Sequence, residues 1–374
     1  MAIQFIDLQA QRQRIDDQVN KGIQNVLEHG SFIMGPEVKQ FEMELAKFGQ
    51  AKHALGCGNG TDALLLAMLA WGIGSGDAVF CPSFTYCATA EIIANVGATP
   101  VFVDIDRETY NINPDNLAKA ILEIKAAGKL TPRAIIAVDL FGQSADYVTL
   151  SEIAKAEDLK LLADSAQGFG TTLNGKHPIH WTDATTTSFF PAKPLGCYGD
   201  GGAILTNDDK MASVLASLRV HGKGVDKYDN IRVGINSRLD TIQAAILLPK
   251  LAIFADEIKK RNIVAKRYIE GLSGHALRVP FVLEGVVSTW AQFTIEVQDQ
   301  ANFAAKLKEK GIPTARYYPK PVHQQTAYSR YPVPRNGLVN TEDCLDNIIS
   351  LPMHPYLDEV TQTMIIETAV SALS

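Results

Sequence analysis

Apolar positions recur along this chain with two alternating periods. Over residues 9–28, Ile15, Val19, Ile23, Val26 and Leu27 share one stripe of a 3.6-residue helix, and Gly30 is placed to end it. Pro36 sits where a first helical residue belongs, so a second helix is expected to about Phe48. Short apolar runs at 53–57, 78–81, 99–103, 134–139 and 159–164 read as strands. Helical patterns lie between them at 61–70, 85–96, 114–127 and 146–157. Strands alternating with helices of this length predict an α/β fold, a mainly parallel sheet covered on both faces. Two further strand-like runs, 185–190 and 202–206, flank a glycine-rich loop. A long helical stretch over 237–272 follows, and Pro249 within it predicts a kink or break.

Beyond that stretch the pattern changes to α+β: strand-like 290–297, a helix over 302–310, strand-like 314–318 and a terminal helix from about Leu357. The expected division is a large domain with an N-terminal helical arm over 1–250, and a small C-terminal domain over 251–374.

Composition narrows the class. Hydrophobic residues make up 46% and charged residues 20%, the balance of a soluble globular chain. The net charge of −6 argues against non-specific nucleic-acid binding, though not against an anionic substrate held in a local basic pocket. No basic-then-apolar leader is visible at the start, and the apolar run 63–73 is too short for a bilayer, so neither secretion nor membrane insertion is expected. The five cysteines are odd in number and lack CxxC spacing, which suggests neither a disulfide framework nor a metal site. A reducing, cytoplasmic setting fits.

Ligands of open parallel sheets bind beyond the carboxyl ends of the strands, and four groups of residues fall there. Gly56-Cys57-Gly58-Asn59-Gly60-Thr61-Asp62 follows a strand and opens a helix. Its free N–H groups and the Thr61 hydroxyl suit a phosphate, although a plain strand-to-helix turn is the other reading. A nicotinamide site needs an acidic residue at the end of the next strand, and Phe80-Cys81-Pro82-Ser83 has none. Tyr86 starts the following helix at the same end of the sheet, where it can stack on a flat ring or simply fill the core. Asp164 closes an apolar strand; a carboxylate there is costly without a cation, and a protonated pyridine nitrogen is such a partner. A helix-capping aspartate is the alternative. Lys193 stands in Ser188-Phe189-Phe190-Pro191-Ala192-Lys193-Pro194-Leu195-Gly196, just past a strand. Most lysines are solvated, but here prolines stiffen the loop and apolar neighbours argue for burial. Burial lowers a lysine pKa, as a Schiff-base lysine requires. Ser188 can donate to a phosphate.

Taken in order, these four groups resemble the sugar aminotransferases of the DegT/DnrJ/EryC1/StrS family. The spacing of 29 positions from Asp164 to Lys193 is similar to theirs, as are Gly199-Asp200-Gly201-Gly202-Ala203, Arg219-x-His221-Gly222 and the run from Gly234 through Asp240. The similarity extends from Phe5-Ile6-Asp7-Leu8 to Leu351-Pro352-Met353-His354-Pro355. The resemblance implies fold-type I pyridoxal-phosphate architecture. It makes Lys193 the Schiff-base lysine and proton shuttle, pairs Asp164 with the pyridine nitrogen, and puts Gln167 on the ring hydroxyl and Tyr86 on the ring face. Gly60, Thr61, Asp62 (through its backbone) and Ser188 would hold the phosphate. Asn236 would reach the cofactor of a neighbouring subunit, which implies a homodimer with shared active sites.

Within the family the chain is similar to a subgroup acting on a UDP-linked 3-oxo sugar acid, UDP-2-acetamido-2-deoxy-3-oxo-glucuronate, with L-glutamate as donor. The likeness lies in 189–200 and 231–250. A substrate with a carboxylate needs a cationic clamp, for which Arg238 is suited, pairing with Asp240 being its other use. Arg316 and Tyr317 would complete the pocket, Arg316 standing where that subgroup has histidine. His323 matches a histidine of the wider family and is a further candidate for the substrate. The resemblance implies a place in lipopolysaccharide O-antigen synthesis. The alternatives are amination of another nucleotide 3-oxo or 4-oxo sugar, a dehydratase of the same fold, which would carry histidine in place of Lys193, and a non-catalytic regulator.

Overall fold

A computed structural model describes residues 3–226 and 228–373. Its strands are β1 (His53–Cys57), β2 (Asp77–Pro82), β3 (Thr99–Val103), β4 (Thr131–Val138), β5 (Lys160–Asp164), β6 (Thr172–Leu173), β7 (Ala184–Ser188), β8 (Gly202–Thr206), β9 (Val286–Val287), β10 (Phe293–Glu296) and β11 (Ile348–Leu351). Seven of them form one sheet in the order β1-β8-β7-β5-β4-β2-β3. Only β8 runs antiparallel to its neighbours, so the sheet is mainly parallel, as the alternation predicts. Side chains alternate across the pleat, and both faces are covered. Val79 and Cys81 join the apolar cluster under the helices Gly60–Ala70, Ala88–Asn95 and Asp209–Leu218. Ala78 and Phe80 join the cluster under Pro114–Ala127 and Tyr147–Ala156.

The strand order places the chemistry. β1 and β7 both pair with β8, and Gly202 lies opposite Cys57 on one side and Ser188 on the other. The turn after β1 and the end of β7 are thereby side by side, although well over a hundred residues separate them in the chain. The ends of β2 and β5 open on the same edge.

Three expectations need correction. The first arm is two helices, Leu8–Arg14 and Asp16–His29, which meet at the buried Ile15, while Gly30 ends the second in the left-handed region as expected. Pro249 does not break its helix, which runs without interruption over Thr241–Leu272. Packing holds it: Ala244, Leu247, Leu251 and Phe254 are buried against Val38, Phe41 and Leu45. The Ala245 carbonyl, which the proline leaves without an intrahelical donor, lies against Gly22, where an added Cβ would come within 3.2 Å of it. Residues 314–318 form no strand; only Ala315 bridges to Ser350.

β10 and β11 pair antiparallel and pack with the terminal helix Glu359–Leu373 around Phe293, Ile295, Leu351 and Ile365. The long helix crosses residue 250. Its first part lies in the cluster with Phe41 and Phe189, and its later residues, Val264 to Leu272, lie in the cluster around Phe293. Among the described residues no helix is long and apolar enough to cross a membrane.

Candidate active site

The turn after β1 is shaped by a helix cap. Asn59 caps the helix Gly60–Ala70, its side chain accepting the Asp62 N–H at 2.8 Å. The Asp62 donor is therefore spent inside the cap and is not free for a phosphate. Among the described residues no acceptor meets the N–H groups of Gly60 and Thr61, and these two lead the helix. Gly60 lies so close to Ser188 that an added Cβ would stand 2.6 Å from the serine Cβ. Only glycine lets the Ser188 hydroxyl stand at the helix mouth. The result is a cradle of two N–H groups with the Ser188 hydroxyl near them and Thr61 in the same first turn, a donor set for a phosphate.

Distant residues stiffen this turn. The Asp62 carboxylate accepts from Ser237 Oγ at 2.7 Å, and Ser237 Oγ accepts the Gly58 N–H at 2.9 Å. Arg219 donates to the Gly56 carbonyl at 2.7 Å and pairs with Glu42, which accepts the Gly56 N–H at 2.7 Å. Asn236, beside Ser237, is exposed.

Asp164 ends β5 and is 5% exposed. Thr89 Oγ1 donates to it at 2.9 Å and the Ala166 N–H at 3.2 Å. No cation lies within ion-pair distance among the described residues. Burial pushes its carboxyl above the usual range, and the Thr89 and Ala166 donors and the Lys193 charge pull it back. Behind it, the fully buried Asp139 accepts from Ser165, from Tyr147 Oη at 2.9 Å and from the Ala145 N–H at 3.0 Å. Burial nonetheless raises Asp139 to about 7.

Lys193 is half-buried in a loop that closes on itself. The Cys197 N–H donates to the Phe189 carbonyl at 2.8 Å, and the Lys193 N–H to the Phe190 carbonyl at 2.9 Å. Gly196 passes so near the Pro191 carbonyl that an added Cβ would fall 2.5 Å from its oxygen. Phe189 and Leu195 anchor the loop in the core, whereas Phe190 is exposed. Burial lowers the Lys193 pKa, opposed by the Asp164 charge. A half-buried amine held toward its neutral form, beside a buried carboxylate bonded only to neutral donors, fits a cofactor that carries an aldehyde and a protonated ring nitrogen.

Tyr86 is 57% exposed, so it is not a core aromatic. The Gln167 amide is buried; its Oε1 accepts the Phe141 N–H at 2.8 Å and its Nε2 donates to Tyr318 Oη at 2.8 Å. Arg238 is half-buried and, among the described residues, has no ion pair, not even with Asp240. Arg316 is exposed and donates to the Leu345 carbonyl at 2.9 Å. Tyr317 is half-buried, its ring 6.4 Å from that of Phe5. Both ring nitrogens of His323 are engaged within the chain, Nδ1 with Ser83 Oγ at 2.7 Å and Nε2 with Glu342 at 3.0 Å. Thr89, Ser237, Tyr318 and Lys250 escape the sequence reading. Thr85 and Thr89, one helical turn apart and bonded at 3.0 Å, carry a faint signal; the others act across long separations that no local pattern marks.

Known proteins are similar to this chain over nearly its whole length. A protein from Pseudomonas aeruginosa named UDP-2-acetamido-2-deoxy-3-oxo-D-glucuronate aminotransferase is 46% identical over 358 residues, covering 95% of this chain and 96% of its own. A crystal structure of a DegT DnrJ EryC1 StrS aminotransferase from Brucella abortus matches with TM-score 0.97 and 49% identity, covering 98% of each chain. NtdA from Bacillus subtilis, solved with bound cofactor PMP, matches with TM-score 0.86 and 28% identity, covering 99% of this chain and 83% of its own. The model of one family spans residues 13–370, taking in the phosphate-type cradle, Asp164 and Lys193 together. This chain belongs to the DegT/DnrJ/EryC1/StrS aminotransferase family.

Proposed function

We propose that this protein is a pyridoxal-phosphate aminotransferase that moves the amino group of L-glutamate onto C3 of UDP-2-acetamido-2-deoxy-3-oxo-D-glucuronate. The observation that carries the cofactor is the placing of Asp164 near Lys193: a buried carboxylate with no ion-paired cation among the described residues, and an amine that burial holds toward neutrality. The identity of the sugar rests on the 46% identical relative and on Arg238, which has no ion pair among the described residues.

When bound, pyridoxal phosphate supplies an electron-withdrawing ring that acidifies the proton of the attached carbon and carries nitrogen between two substrates. The chain's own residues do the rest. The Gly60 and Thr61 N–H groups and the Thr61 and Ser188 hydroxyls hold the phosphate. Asp164 would accept the ring N–H and keep it protonated, Gln167 would meet the ring hydroxyl, and Tyr86 would cover the ring face. Lys193 Nζ takes a proton from the glutamate carbon and, in the second half, returns one to the sugar, so one base serves both directions. Arg238 clamps the sugar carboxylate, with Arg316 and Tyr317 beside it. His323, bonded at both nitrogens, acts on the pocket by tying Ser83 to the loop that carries Tyr317.

The active unit is a homodimer in which Asn236 completes the neighbouring site. Exposed Phe32, Ile33, Met34, Phe190, Ile231 and Val233, several close in sequence to Lys193 or Asn236, support such an interface. The smaller domain takes in the later part of the long helix, from about Val264, and the chain beyond it. Five free cysteines suit a reducing cytoplasm, and the product suits O-antigen-type polysaccharide synthesis.

The test is direct. Purified protein with pyridoxal phosphate should be yellow, and Lys193→Ala should abolish the band. Offered UDP-linked 3-oxo and 4-oxo sugars with glutamate, it should release 2-oxoglutarate only with the 3-oxo uronate, with parallel initial-rate lines. A colourless wild type overturns the cofactor reading; turnover confined to a 4-oxo sugar overturns the substrate alone.

A further inference from the structure

The Gln167 amide is fixed at both ends. The Phe141 N–H can only donate, so the amide oxygen must face it, and Nε2 must face Tyr318 Oη. A flipped amide would set donor against donor. Nε2 keeps a second hydrogen and the phenol keeps its own, and among the described residues neither meets an acceptor.

Tyr318 reaches this point from the C-terminal part of the chain. Its loop is pinned on both sides. Ala315 exchanges backbone hydrogen bonds with Ser350, and the Val322 and His323 N–H groups donate to Ser83 at 2.9 and 3.1 Å. The ring meets Phe84 edge-on at 6.4 Å and lies 6.3 Å from that of Tyr86. Burial, with the Asp164 charge nearby, raises the phenol pKa, so the hydroxyl keeps its proton at neutral pH.

We infer that Tyr318 is a positioning residue of the cofactor site: it holds the Gln167 amide so that the free Nε2 hydrogen points at the ring hydroxyl of the bound cofactor. This rests on the reading of the site given above. A hydrogen bond to that oxygen stabilises its anion and loosens the proton shared with the neighbouring Lys193 nitrogen. The C-terminal part of the chain thus reaches the protonation state of the lysine without touching it.

The test uses the holoenzyme and the variants Tyr318→Phe, Gln167→Ala and the double variant. Phenylalanine keeps the ring contacts and loses one hydrogen bond, so the melting temperature of the cofactor-free protein should fall by no more than a few degrees. The pH titration of the visible band should shift upward by about one unit in Tyr318→Phe. It should shift likewise in Gln167→Ala, and the double variant should match Gln167→Ala alone. A Tyr318→Phe titration that superimposes on the wild type overturns the inference, as does a double variant whose shifts add. Either result leaves the aminotransferase reading standing, whereas a wild type that never becomes yellow removes both.

Discussion

Lys250 Nζ donates to the Gly196 carbonyl at 2.6 Å from a side chain only 1% exposed. The ammonium also lies 4.2 Å from the centre of the Tyr198 ring. The carboxylate that acts on it, Glu257, is bonded instead to Gln11 and Tyr356. Burial pushes the Lys250 pKa down to about 8. The long helix thus grips the loop of Lys193 through a desolvated charge. In Lys250→Met the lost desolvation cost offsets the lost hydrogen bond, each about 1–3 kcal/mol, so the melting temperature should change little. Cofactor affinity should fall about tenfold as the loop loosens. Dialysis or fluorescence titration measures it, and unchanged affinity would show that the Phe189–Cys197 and Phe190–Lys193 bonds hold the loop unaided.

Asp164→Asn separates function from stability. The carboxylate is strained by burial in the cofactor-free protein, so the amide should leave that protein as stable or more stable. Its turnover should drop at least about 100-fold, because the ring nitrogen loses its anionic partner. Chemical denaturation and single-turnover rates, measured side by side, test both halves.

Arg238 stands half-buried and, among the described residues, has no acidic partner. Arg238→Ala should raise KM for the 3-oxo uronate by about 10–100-fold, and Arg238→Lys should restore little, since an ammonium cannot make the paired contact. The comparison is a matched 3-oxo sugar lacking the carboxylate. If both sugars lose affinity equally, the clamp is not on that group.

His177 supplies a pH signature. It is packed against Phe48 and Phe169, and burial lowers its pKa to about 4. The unfolded chain binds a proton from about pH 6.5 downward, while the folded protein resists until about pH 4. The contribution to stability is present above pH 6.5 and is lost as pH falls through 4, about 3 kcal/mol at the limit. His177→Phe should lose less stability between pH 7 and 4.5 in urea titrations. Asp139, raised to about 7, has the opposite sign but is common to both proteins, so the difference isolates His177.

Much of the site was legible because its determinants are local. A glycine-rich turn after an apolar strand, a carboxylate closing a later apolar run and a proline-braced lysine each carry their meaning within a few residues. Element periods likewise reflect short-range geometry. The failures came where packing overrides propensity. Pro249 stays inside an unbroken helix because buried neighbours hold both halves, and 314–318 becomes a loop pinned at Ala315 by Ser350 and just beyond it at Val322 and His323 by Ser83.

By itself, then, the sequence determined the layered α/β pattern, the order Gly60–Thr61, Tyr86, Asp164, Lys193, and through resemblance the family. The tertiary structure alone decided which donors remain free. Asn59 consumes the Asp62 N–H, Glu342 and Ser83 consume both nitrogens of His323, and Tyr318 arrives 151 positions after Gln167 to fix its amide. Hydrogen bonds saturate, and a polar group's availability to a ligand depends on partners that only the folded chain brings within 3 Å.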